Sequence, residues 1–374
     1  MCIFDKYIYI FIQMTKNKDK VAIVSTSLGS GGAERFAALL SFMLEKLDFE
    51  VHNIIINDAV DYEYSGKLLN LGQQGKNYSF LFRKITKGVL LHRYLNENEI
   101  TNIIDNRPRN HLIREIITKW IYGKRKKQYV VHSYKLDNYF PKSVFWARIL
   151  YQNTDKIICV SYSIEEKIRQ DFGLKNTITI HNPHSFPKKI EFKNQDLNSD
   201  KYIMFLGRFD EKVKNFSLML EAFSISKIYH KGYHLLLMGN GPDLGFIQEK
   251  IKMLQIEPFV KILPFKSNPF EQVQHAKFTV LTSHYEGFPL SIVESLALGT
   301  PVIAVDCNSG PREIINHEQN GLLVENENPE AFAKAMNRLI DDSVLYDFCK
   351  KNASKSVEHL SLSTISKQWE SVLS

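Results

Sequence analysis

Two widely separated sets of residues have the types and spacing to handle a phosphorylated ligand. Arg208 follows Gly207 at the end of an apolar run, and Lys212 and Lys214 precede the apolar stretch that begins at Phe216. Cations placed just beyond a strand can neutralise a diphosphate whose charge grows as its bond to another group breaks. Preorganised charge of this kind is worth about 3–4 kcal/mol per donor in a transition state. Farther along, Tyr285-Glu286-Gly287-Phe288-Pro289-Leu290-Ser291 leads from a second strand into a helix that carries Glu294. Gly287 permits close backbone approach, and the N–H groups at the following helix start attract an anion. Near the amino end, Gly29-Ser30-Gly31-Gly32 joins a strand to a helix and offers a third anion-attracting turn. Its spacing departs from the dinucleotide fingerprint, because the position five after Gly29 is Glu34, and no Gly-Lys-Ser/Thr follows as a P-loop requires. Phosphate handling is therefore favoured, and a nicotinamide oxidoreductase is not.

Each of these residues also has a plainer reading. Ser291-x-x-Glu294 fits a capping box, in which Glu294 only satisfies a helix N-terminus. Arg208 and Lys214 could be surface cations beside Asp210 and Glu211, Glu286 a solvated loop residue, and the glycine run a tight turn. His132, after Tyr129-Val130-Val131, could be a satisfied histidine at a strand end. The repetition of the same strand–loop–helix context favours the chemical reading for the set.

The elements that must position these residues read as two alternating strand–helix halves. Val21–Thr26, Val51–Ile56, Thr101–Ile104, Tyr129–His132, Lys156–Val160 and Thr177–Ile180 are short β-rich runs. Phe36, Leu39, Leu40, Met43, Leu44 and Leu47 recur at helical spacing after the first of them. The pattern breaks over Pro183–Ser199 and restarts with strands predicted at Tyr202–Leu206, His234–Met238, Val260–Leu263, Phe278–Thr282, Pro301–Val305 and Gly321–Val324, and a helix at Phe216–Ile228. The alternation predicts an α/β chain of two doubly wound parallel sheets, with a ligand cleft outside the carboxyl ends of their strands.

Composition agrees with a globular enzyme: 374 residues, 44% hydrophobic and 24% charged. Cys2, Cys159, Cys307 and Cys349 are too scattered for a zinc or redox motif, which suggests a reduced, cytoplasmic setting. The apolar run Tyr7–Met14 falls short of the roughly 20 residues that span a bilayer and has no signal-peptide cleavage site behind it. The first thirteen residues read as an extension, with Met14 a plausible start. Residues 1–187 carry 27 Lys and Arg against 18 Asp and Glu, whereas the remainder carries 21 against 23. The excess concentrates in Gly75–Arg93, where cations mix with apolar residues, and in Lys124–Lys127. It fits either a solvated helix face or docking on an acidic surface such as an anionic membrane. No nucleic-acid recognition motif accompanies it.

Gly207-Arg208 with Lys214, and Glu286 through Ala304 (EGFPLSIVESLALGTPVIA), resemble the donor half of retaining GT-B glycosyltransferases of family 4, the glycosyl transferases group 1. Glu286 and Glu294 stand in that family's E-x7-E spacing. Ser309–Glu313 (SGPRE) and Asn320–Val324 (NGLLV) are similar to it, as are Ser27–Arg35 (SLGSGGAER) upstream and Val160-Ser161 with His181-Asn182-Pro183 in the linking stretch. The resemblance runs from about Val21 to Ile340 and is densest in the second half. Lys214-Asn215 departs from the Lys-Gly of many members.

The resemblance implies a GT-B fold: an acceptor domain over 1–187, a nucleotide-sugar domain over 188–355, and a carboxyl-terminal helix within 356–374 packing back on the first domain. It implies that Arg208 and Lys214 hold the donor diphosphate, that Glu286 contacts the transferred sugar, and that the backbone of Gly287, Phe288, Pro289, Leu290 and Ser291 cradles sugar and phosphate. Glu294 would accept from the ribose, Gly31 and Gly32 would face the diphosphate, and His132 would lie near the sugar. The expected reaction transfers a hexose or N-acetylhexosamine, UDP-sugar being the favoured donor, to a growing surface polysaccharide or a polyprenyl-diphosphate-linked glycan at the inner membrane face. It is expected to retain configuration by same-face attack, without metal or cofactor, under a domain closure that excludes water. A non-catalytic sugar-nucleotide-binding scaffold of the same fold is the alternative.

Overall fold

The computed structural model describes residues 18–29, 31–74, 80–185 and 201–373. The suggested extension ending before Met14 and most of the break at 183–199 lie outside the described residues.

The first sheet contains β1 (Lys20–Ser25), β2 (Glu50–Ile55), β3 (Lys67–Asn70), β4 (Asn102–Asp105), β5 (Lys126–Val131), β6 (Lys156–Cys159) and β7 (Thr177–Thr179). They run parallel in the order β3-β2-β1-β4-β5-β6-β7. Helices α1 (Gly32–Lys46), α2 (Phe80–Glu97), α3 (Leu112–Tyr122), α4 (Val144–Tyr151) and α5 (Tyr162–Phe172) connect them. Val21, Ala22, Ile23 and Val24 are all buried, because a central parallel strand is covered on both faces and so reads as a continuous apolar run.

The second sheet contains β8 (Lys201–Leu206), β9 (Tyr233–Met238), β10 (Val260–Leu263), β11 (Thr279–Leu281), β12 (Val302–Val305) and β13 (Gly321–Val324), parallel in the order β10-β9-β8-β11-β12-β13. Around it lie α6 (Phe216–Ser226), α7 (Leu244–Met253), α8 (Phe270–His275), α9 (Leu290–Ala297), α10 (Pro329–Asp341) and α11 (Ser343–Ser356). The last helix, α12 (Leu362–Leu373), returns to α1, where the fully buried Trp369 meets Phe36 at a ring separation of 6.0 Å. No helix among the described residues is long and apolar enough to cross a membrane.

Two sequence expectations need correction. β3 has no predicted counterpart, because Lys67-Leu68-Leu69-Asn70 is a four-residue edge strand, recruited by β2 rather than by its own pattern. The basic run Lys124–Lys127 is not a helix face: α3 ends at Tyr122, and Lys126 and Lys127 open β5.

Candidate active site

In each sheet the strand order reverses at one place, between β1 and β4 in the first and between β8 and β11 in the second. Loops leaving the carboxyl ends of strands diverge at such a switch point and open a crevice there. The loop after β1 carries Gly31 and Gly32, that after β5 starts at His132, that after β8 is Gly207-Arg208, and that after β11 leads through Glu286 to α9. The two crevices meet in one cleft of about 400 Å³. All twelve residues singled out from the sequence line it: Arg208, Lys214, Glu286 and His132, with Gly31, Gly32, Gly287, Phe288, Pro289, Leu290, Ser291 and Glu294.

Lys214 is held in place, whereas Arg208 is an exposed residue on the cleft wall. Lys214 closes a single helical turn, Glu211–Lys214, and its Nζ donates to Glu286 Oε1 at 2.5 Å. Ser283 Oγ donates to the same carboxylate oxygen at 2.6 Å, so Glu286 is oriented and largely buried, not a solvated loop residue. Glu211 is occupied elsewhere, accepting from the backbone N–H groups of Phe216 and Ser217 at the start of α6. Lys214 is therefore not a surface cation paired with it. Asn215 takes φ +50°, where Gly or Asn is tolerated, and its side chain accepts from Leu218 N–H. The departure from Lys-Gly is thus compatible with the local fold. Arg208 acts electrostatically on Glu34 across the cleft, but burial dominates and pushes the Glu34 carboxyl above the usual carboxylate range.

Glu294 corrects the capping-box reading. α9 opens at Leu290 after Pro289, so Ser291 lies inside the first turn and makes no side-chain cap. The Glu294 carboxylate instead accepts from Arg35 Nε at 2.5 Å, across the cleft. Burial raises the Glu294 carboxyl pKa against the pull of Arg35. Arg35 also donates to Ser267 C=O at 3.0 Å, so one α1 side chain spans to two elements of the second half.

His132 is buried, and desolvation followed by the nearby Arg109 lowers its pKa to about 3. The ring is neutral at ordinary pH. Asn106 Nδ2 donates to Ala33 C=O at 2.8 Å, which turns its Oδ1 toward His132 Nε2. The Nε2 proton therefore goes to Asn106, and Nδ1 is left as a buried acceptor without a partner among the described residues. Gly287 comes so close to this loop that a Cβ there would stand 1.9 Å from His132 C=O. Tyr134 N–H donates to Glu286 C=O at 3.0 Å, and Asn182 Nδ2 donates to Phe288 C=O at 3.0 Å, fixing the α9 approach against the first half.

Residues 187–356 match the model of the family described as glycosyl transferases group 1. The match lies in the carboxyl-terminal part of the chain, over the second sheet and its helices. The chain is 29% identical over 349 residues to a Campylobacter jejuni N-acetylgalactosamine-N,N'-diacetylbacillosaminyl-diphospho-undecaprenol 4-alpha-N-acetylgalactosaminyltransferase, covering 89% of this chain and 93% of that protein. It is 22% identical over 348 residues to the amylovoran biosynthesis glycosyltransferase AmsD of Erwinia amylovora, covering 92% and 96%. Among solved structures, Anabaena Alr3699/HepE in complex with UDP and glucose superposes with a TM-score of 0.75 at 16% identity, over 95% of this chain and 99% of that one. Staphylococcus aureus TarM, in a complex containing UDP, gives 0.75 at 15% identity over the same shares. The chain is a glycosyltransferase with the two-domain GT-B fold.

Within this glycosyltransferase, Glu34, Arg35 and Asn106 are the residues that sequence reasoning passed over. Glu34 and Arg35 end the quoted glycine-loop motif, but nothing local shows that Arg35 reaches Glu294, 259 positions away. Asn106 directly follows β4 at the switch point. Its place next to a strand end was the available signal.

Proposed function

We infer that the protein is a retaining glycosyltransferase that moves a hexose or N-acetylhexosamine from a UDP-sugar to a lipid-linked or growing glycan on the cytoplasmic side of a membrane. The observation that carries this reading is the convergence of Arg208 and Lys214, beyond β8, with the glycine turn before α1 and the amino-terminal end of α9 on one cleft. A sugar diphosphate in that cleft meets two cations and two helix N-termini at the point where negative charge develops. The bond from the anomeric carbon to the diphosphate oxygen breaks and the acceptor hydroxyl attacks the same face. Its proton passes to the departing diphosphate. Protein cations would thus take the place of a divalent metal, Glu286 would hold sugar hydroxyls, and Glu294 would accept from the ribose. The buried Nδ1 of neutral His132 is suited to accept from a sugar hydroxyl. The lipid-linked acceptor is supported by the undecaprenol-linked substrate named for the Campylobacter relative. The UDP donor is supported by HepE, solved with UDP and glucose.

The test is a thermal-shift panel of UDP, GDP, ADP and NAD in the presence of EDTA, on wild type and Arg208→Ala. A UDP-selective stabilisation that the variant loses supports the donor and the metal-free site. A GDP-selective shift moves the donor to a GDP-sugar, and no shift with any nucleotide removes the reading.

A further inference from the structure

Helix α3 carries a second apolar stripe that faces away from the core. Its buried side presents Glu115 and Thr118 beside Ile121 and Tyr122, whereas Ile113 and Trp120 are 75% and 73% exposed, with Ile116 and Ile117 between them. Positions 113, 116, 117 and 120 form a single stripe at helical spacing. Glu115 is buried and its carboxylate accepts from Arg114 Nε at 3.2 Å, so this side of the helix is held against the interior by a carboxylate as well as by Ile121 and Tyr122. An amphipathic helix that sends its apolar stripe outward needs something other than its own core to cover it.

The two neighbouring helices continue the surface. On α2, Ile85 and Val89 are exposed, and His92 stacks on Trp120 of α3 at 5.4 Å. On α4, Phe145 and Ile149 are exposed, and Lys119 of α3 donates to Ile149 C=O at 2.9 Å. More than half of the large apolar side chains exposed among the described residues lie on these three helices. The same helices contain seven Lys and Arg against two acids, Glu97 and the buried Glu115. A second copy of this face would bring like charges together, which costs affinity, whereas an anionic bilayer answers both the aliphatic and aromatic stripe and the cations. Each helix follows the carboxyl end of a strand, so its first turn lies at the edge of the sheet that carries Gly31, Asn106 and His132.

We propose that the outer face of α2, α3 and α4 docks on the anionic leaflet of a phospholipid bilayer and presents the cleft to an acceptor held at that surface. The purpose of this docking rests on the reading of a lipid-linked acceptor; the surface itself does not. The experiment floats the full chain with vesicles of phosphatidylcholine alone or mixed with phosphatidylglycerol. Tryptophan emission is followed in parallel, since Trp120 and Trp146 lie on this face and Trp369 is buried. The expected result is flotation with the anionic vesicles, weakened by salt, with a blue shift quenched by brominated lipid. The exposed double substitution Trp120→Ser with Phe145→Ser lowers partitioning by at least about tenfold while leaving the melting temperature and the UDP-induced shift unchanged. Failure of the wild type to float, or equal flotation of the double variant, overturns the proposal. So does a dimer in sedimentation that the same substitutions dissociate, which assigns the face to a second copy. Flotation without any UDP shift leaves the docking face standing and removes the donor reading; a UDP shift without flotation does the reverse.

Discussion

At the scale of single residues the cleft is built from charges that constrain one another. Lys214 is tied to Glu286, and Arg35 to Glu294. Arg208→Ala is expected to lower kcat about 10²-fold or more with an unchanged melting temperature, because it removes charge stabilisation from the reaction and not packing; steady-state kinetics beside thermal melts check this. If Glu294 accepts from the ribose as proposed, Glu294→Gln weakens UDP binding about tenfold without the loss of a cap, since α9 has no side-chain cap; titration calorimetry reads this. His132 carries a pH signature. Its folded pKa of about 3 lies below the unfolded 6.5, so between those values the unfolded chain binds the extra proton and stability falls as pH falls. From pH 7.5 to pH 5 the wild type should lose about 2 kcal/mol more than His132→Gln, measured by urea unfolding at both pH values.

At the scale of elements, the cleft depends on packing far from the ligand. Trp369 on α12 lies against Phe36 on α1, and Phe36 meets the His132 ring edge-on at 5.0 Å. The carboxyl-terminal helix thus supports the floor under the histidine. Trp369→Ala should cost about 3–5 kcal/mol, seen in chemical denaturation. Gly287→Ala tests the junction of α9 with the first sheet. A Cβ 1.9 Å from His132 C=O forces the two loops apart, at an expected cost of about 1–3 kcal/mol in stability. Activity should fall with it, since Glu286 and the start of α9 shift with the loop.

At the scale of the whole molecule the two halves are joined by polar contacts outside the cleft as well as across it. Ser161 and Ser309 share a hydrogen bond of 2.6 Å, and Ser309 Oγ donates to Gly287 C=O at 2.7 Å. Glu313, from the second half, accepts from Tyr162 and Ser163 N–H at the start of α5, placing a carboxylate at a helix N-terminus of the first. Glu313→Ala should therefore weaken the contact between the two halves by about 0.5–2 kcal/mol, and small-angle scattering should show a larger radius of gyration than wild type. An unchanged radius would mean that the other contacts suffice.

The linear sequence determined much of this. Apolar runs and helical periodicity marked twelve of the thirteen strands, because a buried parallel strand must be apolar throughout and therefore announces itself locally. Gly207-Arg208, Lys214 and the Glu286–Glu294 stretch were legible because their chemistry sits at strand ends within short segments. The tertiary structure decided what depends on distance in the chain. It recruited β3 through pairing with β2, and it gave Glu294 to Arg35 instead of to its own helix. It also held His132 neutral by enclosing it, and turned the apolar stripe of α3 outward. A periodic pattern states that a helix has two unlike faces; which of them meets the core is settled by neighbours, here a core that takes Ile121 and Tyr122 and leaves Ile113 and Trp120 outside.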